Sequence, residues 1–151
     1  MCARIHFCNH SSEPECATTN SMYASNTVGS TVLVLLGGSN IPLPNNQSLD
    51  GFSVNGSNTT FTIPEEGRYY VTYQVNTTLG LLGNTRLVRN GAPLPGSVLS
   101  PAVSASSYNN DLIAYFNAGD TISLQLFGLV ATIILVGGGA TGAALTLIRL
   151  S

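Results

Sequence analysis

The sequence predicts an all-β protein folded as an antiparallel jelly-roll sandwich. Short runs of β-branched and aromatic residues recur along the chain, and turn residues separate them at regular spacing. No segment combines the period and the length of a helix. Many short strands at regular spacing are typical of sandwiches and jelly rolls, and 151 residues suit one domain.

The strongest strand signal is the segment Phe61–Val75, which reads FTIPEEGRYYVTYQV. An apolar strand start leads into a Pro-Glu-Glu-Gly turn, and a run of tyrosines and valines follows. Aromatic and β-branched residues fit the pleated, half-buried surface of a sheet. A long strand over Arg68–Thr77 is therefore predicted.

Turn residues mark the ends of the other strands. Asn55-Gly56 and Asn90-Gly91 predict hairpins, because asparagine and glycine tolerate the positive φ angles of tight hairpin turns. Asn45-Asn46 and Ala118-Gly119-Asp120 mark further breaks. In chain order, the predicted strands are Ser21–Asn26, Thr31–Leu36, Ser53–Val54, Thr59–Ile63, Arg68–Thr77, Asn84–Arg89, Ser97–Ala105, Asp111–Asn117, 120–127, 130–136 and 142–150.

The uncharged stretch Thr121–Ile148 is long enough for a membrane-spanning helix. Its glycines, above all Gly137-Gly138-Gly139, divide it into pieces of strand length. Dense threonine, valine and isoleucine also favour strands. We therefore predict the last three strands here and no membrane span.

The composition predicts that much of the surface is buried in an oligomer, with an insoluble assembly as the alternative. Charged residues make up only 8% of the chain, and there is no lysine, whereas a soluble monomer usually carries more surface charge. The strands Ala131–Val136 and Ala143–Leu150 are apolar on both faces, so a neighbouring subunit is expected to cover the second face. Packing about a threefold axis is the simplest arrangement that does so. The net charge of -2 gives no basic patch, which argues against a nucleic-acid partner.

Residues 1–20, here called the N-terminal arm, are polar and carry Cys2, Cys8 and Cys16. Three cysteines cannot all pair within one chain, so each is a candidate for an interchain disulfide. A zinc site built from His6, Cys8 and His10 with Cys2 or Cys16 is an alternative with suitable ligand types, but its spacing matches no standard finger. Reduced, inert thiols are the third alternative.

The arm also has the pattern of a connector. Arg4-Ile5-His6-Phe7 alternates, so Ile5 and Phe7 can lie on one face of a short strand and dock into an apolar cavity of a neighbouring trimer. Twenty extended residues span about 65 Å. A frayed terminus is the alternative. The arm has no apolar stretch of a classical secretory signal peptide, so secretion by the usual route is not predicted, and another path to a surface, such as release on cell lysis, is expected.

The sequence gives little sign of catalysis. Both histidines lie in the arm, and neither a nucleophile elbow nor a phosphate-binding loop is present. Glu65 and Glu66 are adjacent in a turn, where solvation is more usual than acid–base work. No enzyme activity, cofactor or metal is therefore predicted.

Three segments in order are similar to the complement/tumour-necrosis-factor-like superfamily. They are Phe61-x-x-Pro64-x-x-Gly67-x-Tyr69-Tyr70-x-x-Tyr73, then Arg86–Gly91, then Gly119–Leu126 with its Gly-Asp-x-apolar-x-Leu-Gln pattern. The resemblance covers residues 21–151, the predicted jelly-roll domain. It implies a homotrimer, with interface candidates Tyr69, Tyr70, Tyr73, Leu145, Leu147 and Arg149.

Within this superfamily the sequence resembles one bacterial branch. Asn40–Asn45, Pro93–Ser97 and Gly142–Ser151 are similar to the C-terminal domain of the collagen-like glycoprotein of the exosporium, the outer layer of some bacterial spores. The collagen-like Gly-x-y tract is absent, and the cysteine-bearing arm stands in its place. That architecture resembles exosporium basal-layer proteins and subunits of spore appendage fibres, in which a short connector joins stacked trimers.

The resemblance implies a structural subunit on the bacterial spore surface, in the exosporium or in an appendage. Its main partner is expected to be itself, as a homotrimer that stacks head to tail through the arm, and other spore-surface proteins are further candidates. Two alternatives are a discrete trimeric adhesin or binding module for a carbohydrate or protein receptor, and a basal-layer anchoring protein.

Overall fold

The computed structural model describes residues 18–151, and these residues form antiparallel strands joined by turns. The strands are β1 (Ser21–Asn26), β2 (Thr31–Val34), β3 (Ser39–Asn40), β4 (Asn45–Asp50), β5 (Ser53–Val54), β6 (Phe61–Thr62), β7 (Gly67–Leu81), β8 (Asn84–Arg89), β9 (Ala92–Pro93), β10 (Ala105–Phe116), β11 (Thr121–Phe127), β12 (Ala131–Ile134) and β13 (Ala143–Arg149). The all-β prediction is confirmed.

Two main sheets face each other. One has five strands in the order β10-β7-β13-β1-β4. The other runs β5-β6-β11-β8-β9, with β3 also paired to β11, and a separate two-stranded sheet joins β12 to β2. Because the two ends of the chain lie side by side in β1 and β13, the N-terminal and C-terminal segments share one sheet.

Alternation along the strands fills the space between the sheets. In β7 every second side chain from Tyr69 to Val75 is buried, and its neighbours are not. Tyr69 packs edge-on against Phe52 and Phe116, with ring centroids 6.1 and 5.7 Å apart. Such aromatic pairs add to the gain from burying apolar area, so this strand provides much of the core.

The buried polar groups of the core are paired. The Tyr73 hydroxyl donates to the Ser97 carbonyl at 2.7 Å and contacts the Thr85 hydroxyl at 2.9 Å. Ser97 in turn donates to the Leu94 carbonyl and accepts from the Leu87 amide. Among the described residues no buried side-chain nitrogen or oxygen lacks a hydrogen-bond partner.

Most predicted strands are confirmed, including the division of the long apolar stretch into β11, β12 and β13. No helix within residues 18–151 is long and apolar enough to cross a membrane. The Asn90-Gly91 turn adopts positive φ at both residues, 51° and 82°, as the hairpin requires.

Two predictions along the chain are wrong. The predicted strand Ser97–Ala105 is a loop up to residue 104, and Ala105 begins β10. The loop makes only an isolated bridge between Leu99 and Thr85, because the buried Ser97 side chain and Pro101 interrupt strand pairing. A break is predicted at Asn45-Asn46 and no strand follows it in the prediction, whereas Asn45–Asp50 is strand β4. Its pairing with β1 overrides the low strand propensity of its polar residues.

The sandwich has two distinct ends. At the near end β1 and β7 begin and β13 terminates, and the Arg149 amide donates to the Asn20 carbonyl. At the far end β7 runs out to Leu81 beside β12. Fifteen residues of β7 separate the two ends, a length of about 50 Å.

Candidate functional site

The side of the five-stranded sheet that faces away from the core is the candidate site, and we call it the outer face. Its residues are the strand positions between the buried ones, and pairing aligns them in rows across β10, β7, β13 and β1. A sheet face that no second layer of residues 18–151 covers is a natural contact surface. The rows differ in chemistry along the strands.

The first row is apolar. Tyr70 lies between Ile113 of β10 and Ile148 of β13. Ile113 is 53% exposed and Ile148 is 39% exposed, although each is bulky and apolar. The next row toward the near end adds Tyr115, 51% exposed, opposite Arg68. Directly opposed side chains on neighbouring strands touch, so these residues form one continuous patch.

Two tyrosine hydroxyls on this face bind carboxylates. Tyr70 donates to Asp111 at 3.0 Å, and Tyr115 donates to Glu66. The hydrogen bond to Asp111 raises the pKa of Tyr70, and the hydrogen bond to Glu66 raises the pKa of Tyr115. Each carboxylate thus accepts a hydrogen bond that restrains the orientation of its tyrosine ring.

The other half of the outer face is polar and concave. A groove of about 250 Å³ runs between Tyr23 and Asn109, over Gln74 and Thr146. Along one side of the groove, the Asn76 side chain donates a hydrogen bond to Gln74 at 3.0 Å and accepts one from Ser107 at 2.9 Å. The outer face therefore has an apolar half around Tyr70 and a hydrogen-bonding half around Gln74.

Four of the six predicted interface residues lie elsewhere. The side chains of Tyr69, Tyr73, Leu145 and Leu147 are 0 to 2% exposed and pack in the core of the single chain. They are therefore unavailable to a partner, because the period of two turns them inward while their neighbours face out. Of the six, Tyr70 is the residue that lies on the outer face.

Arg149 closes the near end of its own chain. Its guanidinium donates to the Glu66 carbonyl at 2.8 and 3.2 Å and to the Asn20 side chain at 3.5 Å. An arginine in an apolar strand commonly pairs with a carboxylate, because an unpaired charge is costly away from water. Here backbone oxygen takes that role, and Arg149 ties the turn before β7 to the end of β13.

The outer-face residues that the sequence analysis missed are Tyr23, Ile113, Tyr115 and Ile148. The strict alternation of β7 and β13 was the signal that could have found Ile148, since Leu147 faces the core. Identifying Ile113 and Tyr115 as outer-face residues required the pairing of β10 with β7, which no local sequence pattern reveals.

The remaining predicted sites fall outside the described residues. Cys2, Cys8 and Cys16, the docking residues Ile5 and Phe7, and the alternative zinc ligands His6 and His10 all precede Thr18. Within residues 18–151 no group of three or more histidines, cysteines and carboxylates is close enough to hold a metal ion.

The sequence of residues 22–151 matches the BclA C-terminal domain. The chain belongs to the BclA C-terminal domain family. This confirms the predicted resemblance to the exosporium glycoprotein domain, and it assigns the chain to structural and binding domains rather than to enzymes. No curated protein matches the chain.

Solved structures with the same fold are tumour-necrosis-factor-like ligands. Murine APRIL at pH 8.5 superposes with a TM-score of 0.64 at 12% identity, over 88% of this chain and all (100%) of that one. The Eiger TNF of S. frugiperda gives 0.59 at 12%, over 89% and 94%. Rabbit GITRL gives 0.55 at 14%, over 87% and 94%. At such low identity these similarities establish the jelly-roll fold alone.

Proposed function

We propose that this chain is a structural subunit of a bacterial spore-surface fibre. Three copies form a homotrimer through the outer face, and trimers stack head to tail through the N-terminal arm. Membership of the BclA C-terminal domain family supports a location in the exosporium or in a spore appendage. The tumour-necrosis-factor-like fold supports self-association as its main interaction.

The observation that carries the trimer is the apolar row Ile113–Tyr70–Ile148. Two exposed isoleucines flank the half-buried Tyr70 on three adjacent strands and make a contiguous apolar patch. Covering the exposed part of each isoleucine contributes about 1 kcal/mol, and threefold symmetry repeats that gain at every interface. The Tyr70 and Asp111 pair would then lie beside the contact and fix its orientation.

The stacking direction is supported by where the arm leaves the fold. Residue 18 precedes β1 at the near end, so the arm joins the described fold at that end. A contact between unlike ends is heterologous, and such contacts build open filaments when they do not close into rings. Cys2, Cys8 and Cys16 are proposed to cross-link the stacked subunits.

Deleting residues 2–16 tests this proposal. The shortened chain retains every described strand and is expected to form discrete trimers, with three chain masses by light scattering, that do not associate further. A monomer would contradict the role of the outer face, and filaments that persist would contradict the role of the arm. The control is the full-length chain at the same concentration.

A trimeric binding module is the second candidate, and the polar groove favours it. Tyrosine, asparagine and glutamine side chains around a 250 Å³ concavity are suited to hydrogen-bonding a sugar. On this hypothesis Gln74→Ala would abolish binding of a glycan identified by array screening. The variant would leave the trimer intact. If Gln74→Ala bound the same glycans as the parent chain, the binding-module hypothesis would be ruled out.

A further inference from the structure

A second groove lies at the far end of the molecule. It has a volume of about 250 Å³ and runs between the last residues of β7 (77–81) and strand β12 (131–134), with Leu129 at its side. The residues that line it are all uncharged. Two of them stand open to solvent, since Leu79 is 77% exposed and Ile134 is 49% exposed. The groove is thus an apolar feature of the surface.

The groove is a split in a β-ladder. Thr77 and Leu135 form an antiparallel bridge, and continuing that register would pair Thr78 with Ile134 and Leu81 with Ala131. These strands instead diverge, and the residues that would have paired are the ones that line the groove. The space therefore lies in the plane of a sheet, between two strand edges.

Hydrogen-bond directions show that one edge of β12 faces this space. The Leu135 amide donates to Ser30, on the β2 side, whereas the Val136 amide donates to Asn76, on the β7 side. Since successive amides of a strand point to opposite sides, the amides of Thr132 and Ile134 point toward β7. Within residues 18–151 the ladder partner of β12 is β2, on its other edge.

We propose that this groove receives the N-terminal arm of a second copy as an added strand. Backbone groups of the incoming strand would bond the open edges, and alternate side chains would fill the apolar floor, as in β-augmentation. Arg4-Ile5-His6-Phe7 has the required alternation, with Ile5 and Phe7 on one face. This inference rests on the head-to-tail assembly proposed above and names the site that receives the arm.

The position of the arm favours a second copy over the same chain. The arm enters the fold at the near end, and the groove lies at the far end, most of the length of β7 away. To reach its own groove, the segment before Thr18 would have to run almost fully extended along the whole molecule, because 17 residues span at most about 60 Å. A copy stacked end to end delivers its arm directly.

Photocross-linking of the full-length chain tests the site. A benzophenone amino acid replaces Phe7, and equal amounts of isotope-labelled and unlabelled chains are assembled together. We expect mixed-isotope cross-links at residues 77–82 or 129–134. Mixed cross-links elsewhere, cross-links within one chain, or filaments without cross-links would each overturn the inference. Absence of filaments from the unmodified chain would instead overturn the proposed assembly itself.

A matched pair of variants gives an independent test. Leu79→Asp places a charge in the groove, and Leu36→Asp places one at a neighbouring position that is 86% exposed and does not line it. The first is expected to raise the critical concentration for assembly about tenfold or more, and the second to change it little, with trimer mass normal in both. An equal rise in critical concentration in both variants would assign the contact to the whole apolar end and overturn the assignment to the groove.

Discussion

At the scale of single residues, Gly67 explains why the strongest sequence motif contains a glycine. Its φ is +154°, and an added Cβ would lie 2.1 Å from the Ser151 carbonyl oxygen and 2.9 Å from the Arg149 Nε. The chain terminus thus packs against this position, where any larger residue would collide with backbone. The turn before β7 and the end of β13 are held together at this point.

Gly67→Ala is expected to destabilise the fold by about 2–3 kcal/mol, through strain and through the clash with Ser151. Urea unfolding at fixed protein concentration measures the change. Gly56→Ala is the control, because an added Cβ there meets nothing within 4 Å. Equal stability of the two variants would contradict the close approach.

The buried tyrosines make the fold sensitive to alkaline pH. Burial raises the pKa of Tyr73, Tyr69 and Tyr108 above the usual 10.0. Since the folded state holds these protons more tightly than the unfolded state does, their contribution is complete below pH 10 and is lost as the pH rises further.

The free energy of unfolding is therefore expected to fall as the pH rises above about 10. Tyr73→Phe should reduce that fall, and at neutral pH it should cost about 1 kcal/mol because Ser97 and Thr85 lose a partner. Denaturant titrations at neutral and alkaline pH provide the measurement. A fall as steep in Tyr73→Phe as in the parent chain would contradict this role of the phenol.

At the scale of elements, the last strand, β13, has one face in the core and the other on the proposed trimer interface. In β13, Leu147 is buried between the sheets, and the next residue, Ile148, lies on the outer face beside Tyr70. One step along the strand therefore moves a side chain from the core to the proposed interface.

Ile148→Asp is expected to leave the far-ultraviolet circular dichroism spectrum unchanged and to convert trimers into monomers, as measured by analytical ultracentrifugation. Leu147→Asp, by contrast, should prevent folding, because it buries a charge in the core. Val98→Asp is the control for an exposed apolar residue away from the outer face. Trimers of Ile148→Asp would refute the proposed interface.

The positions of the strands were largely predictable from the sequence, but which side chains face the core and which face outward was not. Strand propensity and Asn-Gly turns located β7, β8 and the last three strands, since these signals are local. Strand β4 was missed because its pairing with β1 outweighs its polar composition. Leu145 and Leu147 were assigned to the predicted interface because their strand is apolar, whereas the alternation of side chains along the strand places both in the core.

At the scale of the whole molecule, the two ends of the sandwich carry different features. The near end joins the N-terminal arm to β1, and the far end presents the groove between β7 and β12. A trimer with unlike ends can stack in one direction and form a polar fibre. In the assembly proposed above, the outer face would provide the lateral contacts of such a fibre and the far-end groove its axial contacts.

Negative-stain electron microscopy of the purified full-length protein, prepared without reductant, tests the central claim most directly. We predict filaments with a regular axial repeat of about 50 Å, the length of one domain along β7. Isolated compact particles at every protein concentration would contradict the claim that this chain is a fibre subunit.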